Sequence, residues 1–243
     1  MLYFNQVILI TTFKNCLIFI QGRWWKIVKE QILNSREDWL LSRANSIGGS
    51  DASCILGLNN YKTNVELWKI KKGLAEQEDI SDKPYVKYGT EAEKYLRGLF
   101  ALDFPQYEVL YDKNNYWTNS KYQGLHASLD GWLIEKETGK KGILEIKTSN
   151  IINSTIAKKW DNQIPDNYYI QLLHYFIVTE FDFAILKAQL RYDYNDDIYL
   201  KTKHYKIERA EVLDDINYLL EKEQSFIKCL ESNTEPSLIL PTI

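Results

Sequence analysis

One short stretch constrains this chain more than any other, the run Gly142-Ile-Leu-Glu-Ile-Lys147. Its apolar, branched residues read as a strand, yet two opposite charges, Glu145 and Lys147, stand inside it. Side chains on a strand alternate between faces, so Glu145 and Lys147 share one face while Ile146 points into a core. A fold that accepts this strand must bury it and still keep a charged site on it. Upstream lies Leu129-Asp130-Gly131. Asp130 ends or crosses a neighbouring strand there, and Gly131 permits a bend or a close backbone approach. Two carboxylates on adjacent strands, completed by the Ile146 carbonyl, form a hard oxygen donor set that suits Mg2+ or Mn2+. Such a metal acidifies a bound water and neutralises charge building up on a phosphate. A lysine beside it can place the attacking water or stabilise the transition state. Together these parts describe metal-assisted phosphodiester hydrolysis. Cross-strand ion pairing on solvated faces is the competing reading of so short a pattern.

The rest of the chain predicts helices first and a sheet later. Ser35 caps a helix carrying Asp38 in its first turn, then Trp39, Leu40 and Arg43. Ile47-Gly-Gly-Ser-Asp51 breaks the chain and launches a second short helix, stopped by Gly57. Thr63-x-x-Glu66 is a capping box for a helix running to Gly73. Tyr88-Gly-Thr-Glu-Ala-Glu93 leads a fourth helix through Leu96, Leu99 and Phe100. The period then changes: residues 107–111, 115–118, 124–134 and 142–147 read as strands. A helix over 166–179 shows Ile170, Leu173 and Ile177 on one face, and strands near 182–192 and 198–207 flank the turn Tyr194-Asn-Asp-Asp197. A closing helix spans 208–231. This order predicts an α/β (α+β) domain with a central mixed β-sheet flanked by helices.

Composition removes several alternatives. Thirty Lys+Arg against 33 Asp+Glu leave a net charge of −3, which excludes a polybasic coating protein but not a local basic groove. Three cysteines, Cys16, Cys54 and Cys229, stand far apart and odd in number, so no disulfide framework or zinc site can be assembled from them. Residues 1–20 are apolar but interrupted by Asn5, Gln6, Lys14 and Asn15. They fall short of a membrane span and lack signal-peptide features. They read either as one or two short strands or as a stretch not needed for function. With only 5 Pro and 11 Gly, a flexible linker is absent. Residues 1–34 are therefore taken as an extension of uncertain role, and 35–243 as a single domain with its C-terminal helix.

Five segments, in chain order, carry a resemblance. They are Arg43-Ala-Asn-Ser-Ile-Gly-Gly-Ser-Asp-Ala52, Tyr88-Gly-Thr-Glu-Ala-Glu93, Ser128-Leu-Asp-Gly131, Leu144-Glu-Ile-Lys147 and Tyr168-x-x-Gln171. Together they resemble the YqaJ-type viral recombinase family, the phage lambda exonuclease-like branch of the PD-(D/E)xK nucleases, over about residues 35–205. The resemblance implies a restriction-endonuclease-like core. It implies that Asp130, Glu145 and the Ile146 carbonyl hold Mg2+, which Mn2+ can replace, and that Glu93 helps to bind it. Lys147 would act on the water or the phosphate. Gln171 matches a glutamine beside the active site, with a structural hydrogen bond as the competing reading. Arg43, Ser50 and Ser128 fall where family members cradle a terminal 5′-phosphate, and Arg43 can grip phosphate through two donors. Leu129 stands where the superfamily name has proline.

The implied activity is a 5′→3′ exonuclease on linear double-stranded DNA, leaving 3′ single-stranded tails for recombination. The implied setting is the cytoplasm of a bacterial or phage-infected cell, with no membrane association. The implied assembly is a ring, a trimer, working with a single-strand annealing protein. An endonuclease or other-polarity nuclease of the same superfamily is the nearest rival. A DNA-end-binding module without catalysis is the rival from another class. Lys140 and Lys141 are the basic pair most suited to a DNA backbone, whereas Lys69, Lys71, Lys72, Lys158 and Lys159 read as solvated faces. Asp51 reads as an N-terminal helix carboxylate, His174 as a core or surface histidine, and Trp132 as a packing residue.

Overall fold

The computed structural model describes residues 17–20, 23–194 and 197–241. Strands β1 (Leu17–Ile20) and β2 (Arg23–Lys26) pair as an antiparallel ribbon, and the rest of the apolar stretch read from 1–20 lies outside the described residues. Strand β3 (Val28–Ile32) follows. Helix α1 (Arg36–Ala44) begins at Ser35, whose hydroxyl accepts from the Asp38 amide at 3.0 Å. Helix α2 (Gly49–Ile55) starts in the double glycine, and α3 (Asn64–Lys71) starts in the complete Thr63/Glu66 capping box. Helix α4 (Pro84–Asp103) opens four residues before Tyr88. Proline at its first position supplies the helical φ and forfeits only an amide that has no intrahelical partner there.

Strands β4 (Tyr107–Leu110) and β5 (Asn115–Asn119) match expectation. The single strand predicted over 124–134 does not form; it divides into β6 (His126–Ala127) and β7 (Gly131–Glu135). The two pieces belong to different sheets, because Asn115 seizes the residue between them. Its side-chain amide donates to the Leu129 carbonyl at 2.9 Å, and its carbonyl accepts from the Leu129 amide at 2.8 Å. Strand β8 (Lys141–Asn150) outruns the predicted 142–147, after which come α5 (Ser154–Lys158) and α6 (Asp166–Thr179). The long hairpin β9 (Phe183–Tyr194) and β10 (Asp197–Glu208) is followed by a 3-10 turn at Arg209–Glu211 and α7 (Leu213–Glu231).

The main sheet runs β10-β9-β8-β7-β4, parallel only between β8 and β9, so it is the mixed sheet expected. A smaller sheet runs β3-β5-β6. Strand β3 pairs with β5 along its whole length, and Ile27 before it is buried. Alternation along β8 divides the core. Leu144 and Ile146 pack with Leu96 and Phe100 of α4, and Ile143 joins the larger core with α6, α2 and α7. Helix α6 is buried on all sides from Ile170 to Thr179, not on the one face that its spacing suggested. Leu172, Phe176 and Val178 make it apolar around its circumference, as a helix enclosed by other elements must be. Gly142 lets β9 close on β8, since a Cβ there would come within 2.2 Å of the Phe183 ring. Among the described residues no helix is long and apolar enough to cross a membrane.

Candidate active site

The site lies where the main sheet splits. Strand β7 pairs with β8 only as far as Gly131 opposite Leu144, while β8 continues to Asn150 beside β9. The first amide of β8 beyond that ladder belongs to Ile146, and a buried amide needs an acceptor. Asp130 provides it, Oδ2 accepting at 2.9 Å. The position of Leu129 explains why proline is absent there. The Leu129 amide is bonded to Asn115, and proline has no amide hydrogen to donate.

Three carboxylates converge on this opening. Glu145 is 1 % exposed; its Oε1 accepts from Lys147 Nζ at 2.6 Å and from Gln171 Nε2 at 2.9 Å. Its second oxygen is buried with no partner. Burial and the nearby Asp130 charge push the Glu145 carboxyl up to about 8. Burial also raises Asp130 against the opposing pull of Lys147 and the Ile146 amide. Glu93 on α4 is raised by burial and by Asp130, with Arg97 opposing. Burial works against the charge on Lys147, but Glu145 and Asp130 together raise its proton affinity. Its ammonium also lies 5.0 Å from the centre of the Tyr168 ring. Among the described residues no three acidic, histidine or cysteine side chains close into a ready metal cluster; Glu145 is paired with Lys147 and Glu93 with Arg97. The donor set nonetheless fits a hard divalent cation. An unpartnered buried carboxylate oxygen amid mutually repelling acids is what a cation relieves.

Gln171 is buried and donates directly to Glu145. Its amide also donates to the Tyr175 hydroxyl at 2.7 Å, and that hydroxyl donates to the Ser128 carbonyl at 3.1 Å. Burial, then the charge of Glu145, keeps Tyr175 protonated far above the usual range. The double glycine brings α2 onto this network, since a Cβ on Gly49 would lie 2.6 Å from the Tyr175 ring. Ser50 is exposed in the first turn of α2, and the Ser128 hydroxyl is buried without a partner. The Arg43 guanidinium lies over the Trp39 ring at 4.2 Å, and its charge reaches Asp130.

Other candidates are drawn elsewhere. Lys140 and Lys141 are exposed at the far end of the β7–β8 hairpin, Lys141 standing four residues or ~13 Å along the strand from Glu145 and Lys140 one residue further. Asp51 is the helix carboxylate expected, accepting from the Gly48 amide at 3.1 Å and pairing with Lys71 at 2.8 Å. Lys71 corrects the expectation of a solvated face. It is largely enclosed and also donates to the Arg43 and Ser46 carbonyls. Trp132 packs edge-on against Trp117. His174 is a core histidine bonded to Glu223 at 2.6 Å and to the His126 carbonyl at 2.7 Å. Sequence reasoning missed Arg97, Asn115 and Tyr175. Arg97 and Tyr175 each stand four residues after a site residue, Glu93 and Gln171, and that spacing places them on the same helical face.

The model of the YqaJ-like viral recombinase domain matches residues 38–182, more than half of the chain. The chain belongs to that family. This YqaJ-like domain is 36 % identical over 143 residues to the uncharacterized protein YqaJ of Bacillus subtilis (strain 168), covering 58 % of this chain and 41 % of that protein. It therefore spans less than half of the length of that relative. Its fold is similar to the alkaline exonuclease LHK-Exo from Laribacter hongkongensis, with TM-score 0.56 at 16 % identity, covering 81 % of this chain and 93 % of that one. The LHK-Exo complex with dAMP gives TM-score 0.59 at 18 % identity, with the same coverage. At such identity the likeness establishes the fold, which is the restriction-endonuclease-like α+β core expected. All of the carboxylates, together with Lys147 and Gln171, fall within the matched segment.

Proposed function

We propose that this YqaJ-like domain is a Mg2+-dependent DNA exonuclease that degrades one strand of a linear duplex from its 5′ end. One observation carries the reading: three buried or half-buried carboxylates with raised proton affinities share the mouth of a split sheet with Lys147. Family membership and a fold shared with an alkaline exonuclease support a nuclease. Asp130, Glu145 and Glu93 would hold the cation, with the Ile146 carbonyl as a further oxygen. Once bound, the cation would lower the pKa of a water and offset charge on the phosphate.

The protein groups do the rest. Gln171 fixes Glu145 in one rotamer by donating to it from the buried stretch of α6. Lys147 keeps its charge beside Glu145 and can donate either to an attacking water or to a phosphate oxygen. Ser50, Ser128 and Arg43 would cradle a terminal phosphate, the arginine stiffened by Trp39. Exclusive attack at 5′ ends is what such a terminal pocket would impose. A ring-shaped trimer enclosing the duplex, and a partner that anneals the exposed 3′ tails, complete the proposal.

The test uses linear duplex bearing 5′-phosphate or 5′-hydroxyl ends and a covalently closed circle, each with and without Mg2+. Metal-dependent nucleotide release from the phosphorylated linear duplex, lost in Lys147→Ala, is the expected result. A cut circle makes the protein an endonuclease, and binding of ends without release makes it an end-binding module. Light scattering on the full chain, with and without duplex, checks the trimer.

A further inference from the structure

Arg97 has no part in the chemistry described so far, yet it touches two of the three acidic positions. Its Nη1 donates to Glu93 Oε1 at 2.7 Å and also to the main-chain carbonyl of Asp130. One NH2 group carries two hydrogens, so both bonds can be made at once. The guanidinium carbon lies 3.5 Å from the centre of the Tyr111 ring, a stack that restricts its orientation. The side chain is only 12 % exposed. Gly131 leaves room for it, since a Cβ there would meet the Arg97 Cδ at 3.3 Å.

Glu93 stands on α4 and Asp130 at the head of β7, two elements with no covalent constraint between them near the site. The two acids repel, and Asp130 raises the proton affinity of Glu93. A charged donor bonded to both sides of that gap holds them together before any cation arrives. We propose that Arg97 is a positioning residue that tethers Glu93 to the Asp130 main chain, keeping the third carboxylate at the site so that a divalent cation can draw it in. This rests on the metal-dependent reading above and assigns its preorganisation to a residue outside the donor set. Outer partners of metal ligands are commonly worth about 10- to 100-fold in affinity.

The test is calorimetric titration of Mn2+ alone, without DNA, into the full chain as wild type, Arg97→Met, Glu93→Gln and the double variant. Arg97→Met is expected to weaken Mn2+ binding about tenfold, and to add nothing once Glu93→Gln is present, because it acts through Glu93. A residue that merely braces the fold would lower the melting temperature and leave the affinity of the folded protein unchanged. Arg97→Lys keeps the charge but not the flat stack on Tyr111. It is expected to recover part of the lost affinity, and it carries the same cycle if the methionine variant does not fold. Wild-type affinity in both Arg97 variants, or a loss repeated in full in the Glu93→Gln background, overturns the role of Arg97 alone. Wild-type protein that takes up no Mn2+ overturns the metal-dependent reading, and this proposal with it.

Discussion

Glu145 shows how much of this molecule rests on one side chain. Its carboxyl ionises near 4.5 when exposed and near 8 in the fold. Between those values the folded state holds a proton that the unfolded state has released. Stability therefore falls as pH rises through that window. The melting temperature of the metal-free protein should drop between about pH 5 and pH 8.5, and Glu145→Gln should flatten part of that slope. His174 has a raised proton affinity as well, because the Glu223 charge and hydrogen bond outweigh the opposing effect of burial, and its share is likewise lost as pH rises. The glutamine variant isolates the carboxylate's share from that of the histidine. Mn2+ added near pH 8 should restore more stability to wild type than to Glu145→Gln, which a melting scan at both pH values would check. Lys147→Ala should reduce nucleotide release at least ~100-fold, and because the side chain is only 21 % exposed and partners the buried Glu145, a melting curve should accompany the assay to show that the variant is folded. Full activity in that variant would remove the lysine from the chemistry.

At the scale of elements, the site is built from contacts that hold helices against the split sheet. Gly48 and Gly49 admit the start of α2 to the His126 and Tyr175 rings, with added Cβ atoms falling 2.7 Å and 2.6 Å away. Gly49→Ala should cost ~1–3 kcal/mol by overpacking, read from urea unfolding. It should also lower activity, because the displaced Tyr175 and Gln171 hold Glu145 and the Ser128 carbonyl. Helix α7 is fixed to α6 by the fully buried His174–Glu223 pair at 2.6 Å. Removing one member leaves the other without its partner in the core. Glu223→Ala should therefore destabilise by ~3–5 kcal/mol, whereas the same change at an exposed pair such as Lys87–Asp82 should be nearly silent.

At the scale of the whole molecule, β3 joins residues ahead of Ser35 to the smaller sheet. It pairs with β5 from Val28 to Ile32, and Ile27 is buried behind it. A chain starting at Trp24 should keep its melting temperature and its nuclease activity. One starting at Ser35 loses that edge strand and the burial of Ile27, and should melt lower by about 5 °C, on the usual 2–4 °C per kcal/mol for this size. Equal melting of the two chains would show that β3 contributes nothing to the domain.

Much of the site was legible in the sequence because its geometry is local. The period of two along residues 142–147 sets Glu145 and Lys147 on one face of β8, and the helical period sets Gln171 on α6. Capping residues mark the starts of α1 and α3 for the same reason, since each bond spans three positions. What the sequence could not show depends on partners far along the chain. Asn115 breaks the apolar run at Leu129 from fourteen positions away, so one predicted strand becomes two in different sheets. Arg97 reaches the Asp130 carbonyl from 33 positions away. The raised proton affinities of Glu93, Asp130 and Glu145 also arise only from their assembly, because burial and mutual charge are properties of the packed state. The sequence alone determined which side chains could form the site and on which faces they stand. The tertiary structure decided where the sheet splits and how closely the acids are held. Those depend on packing and electrostatics between segments whose separation no local pattern encodes.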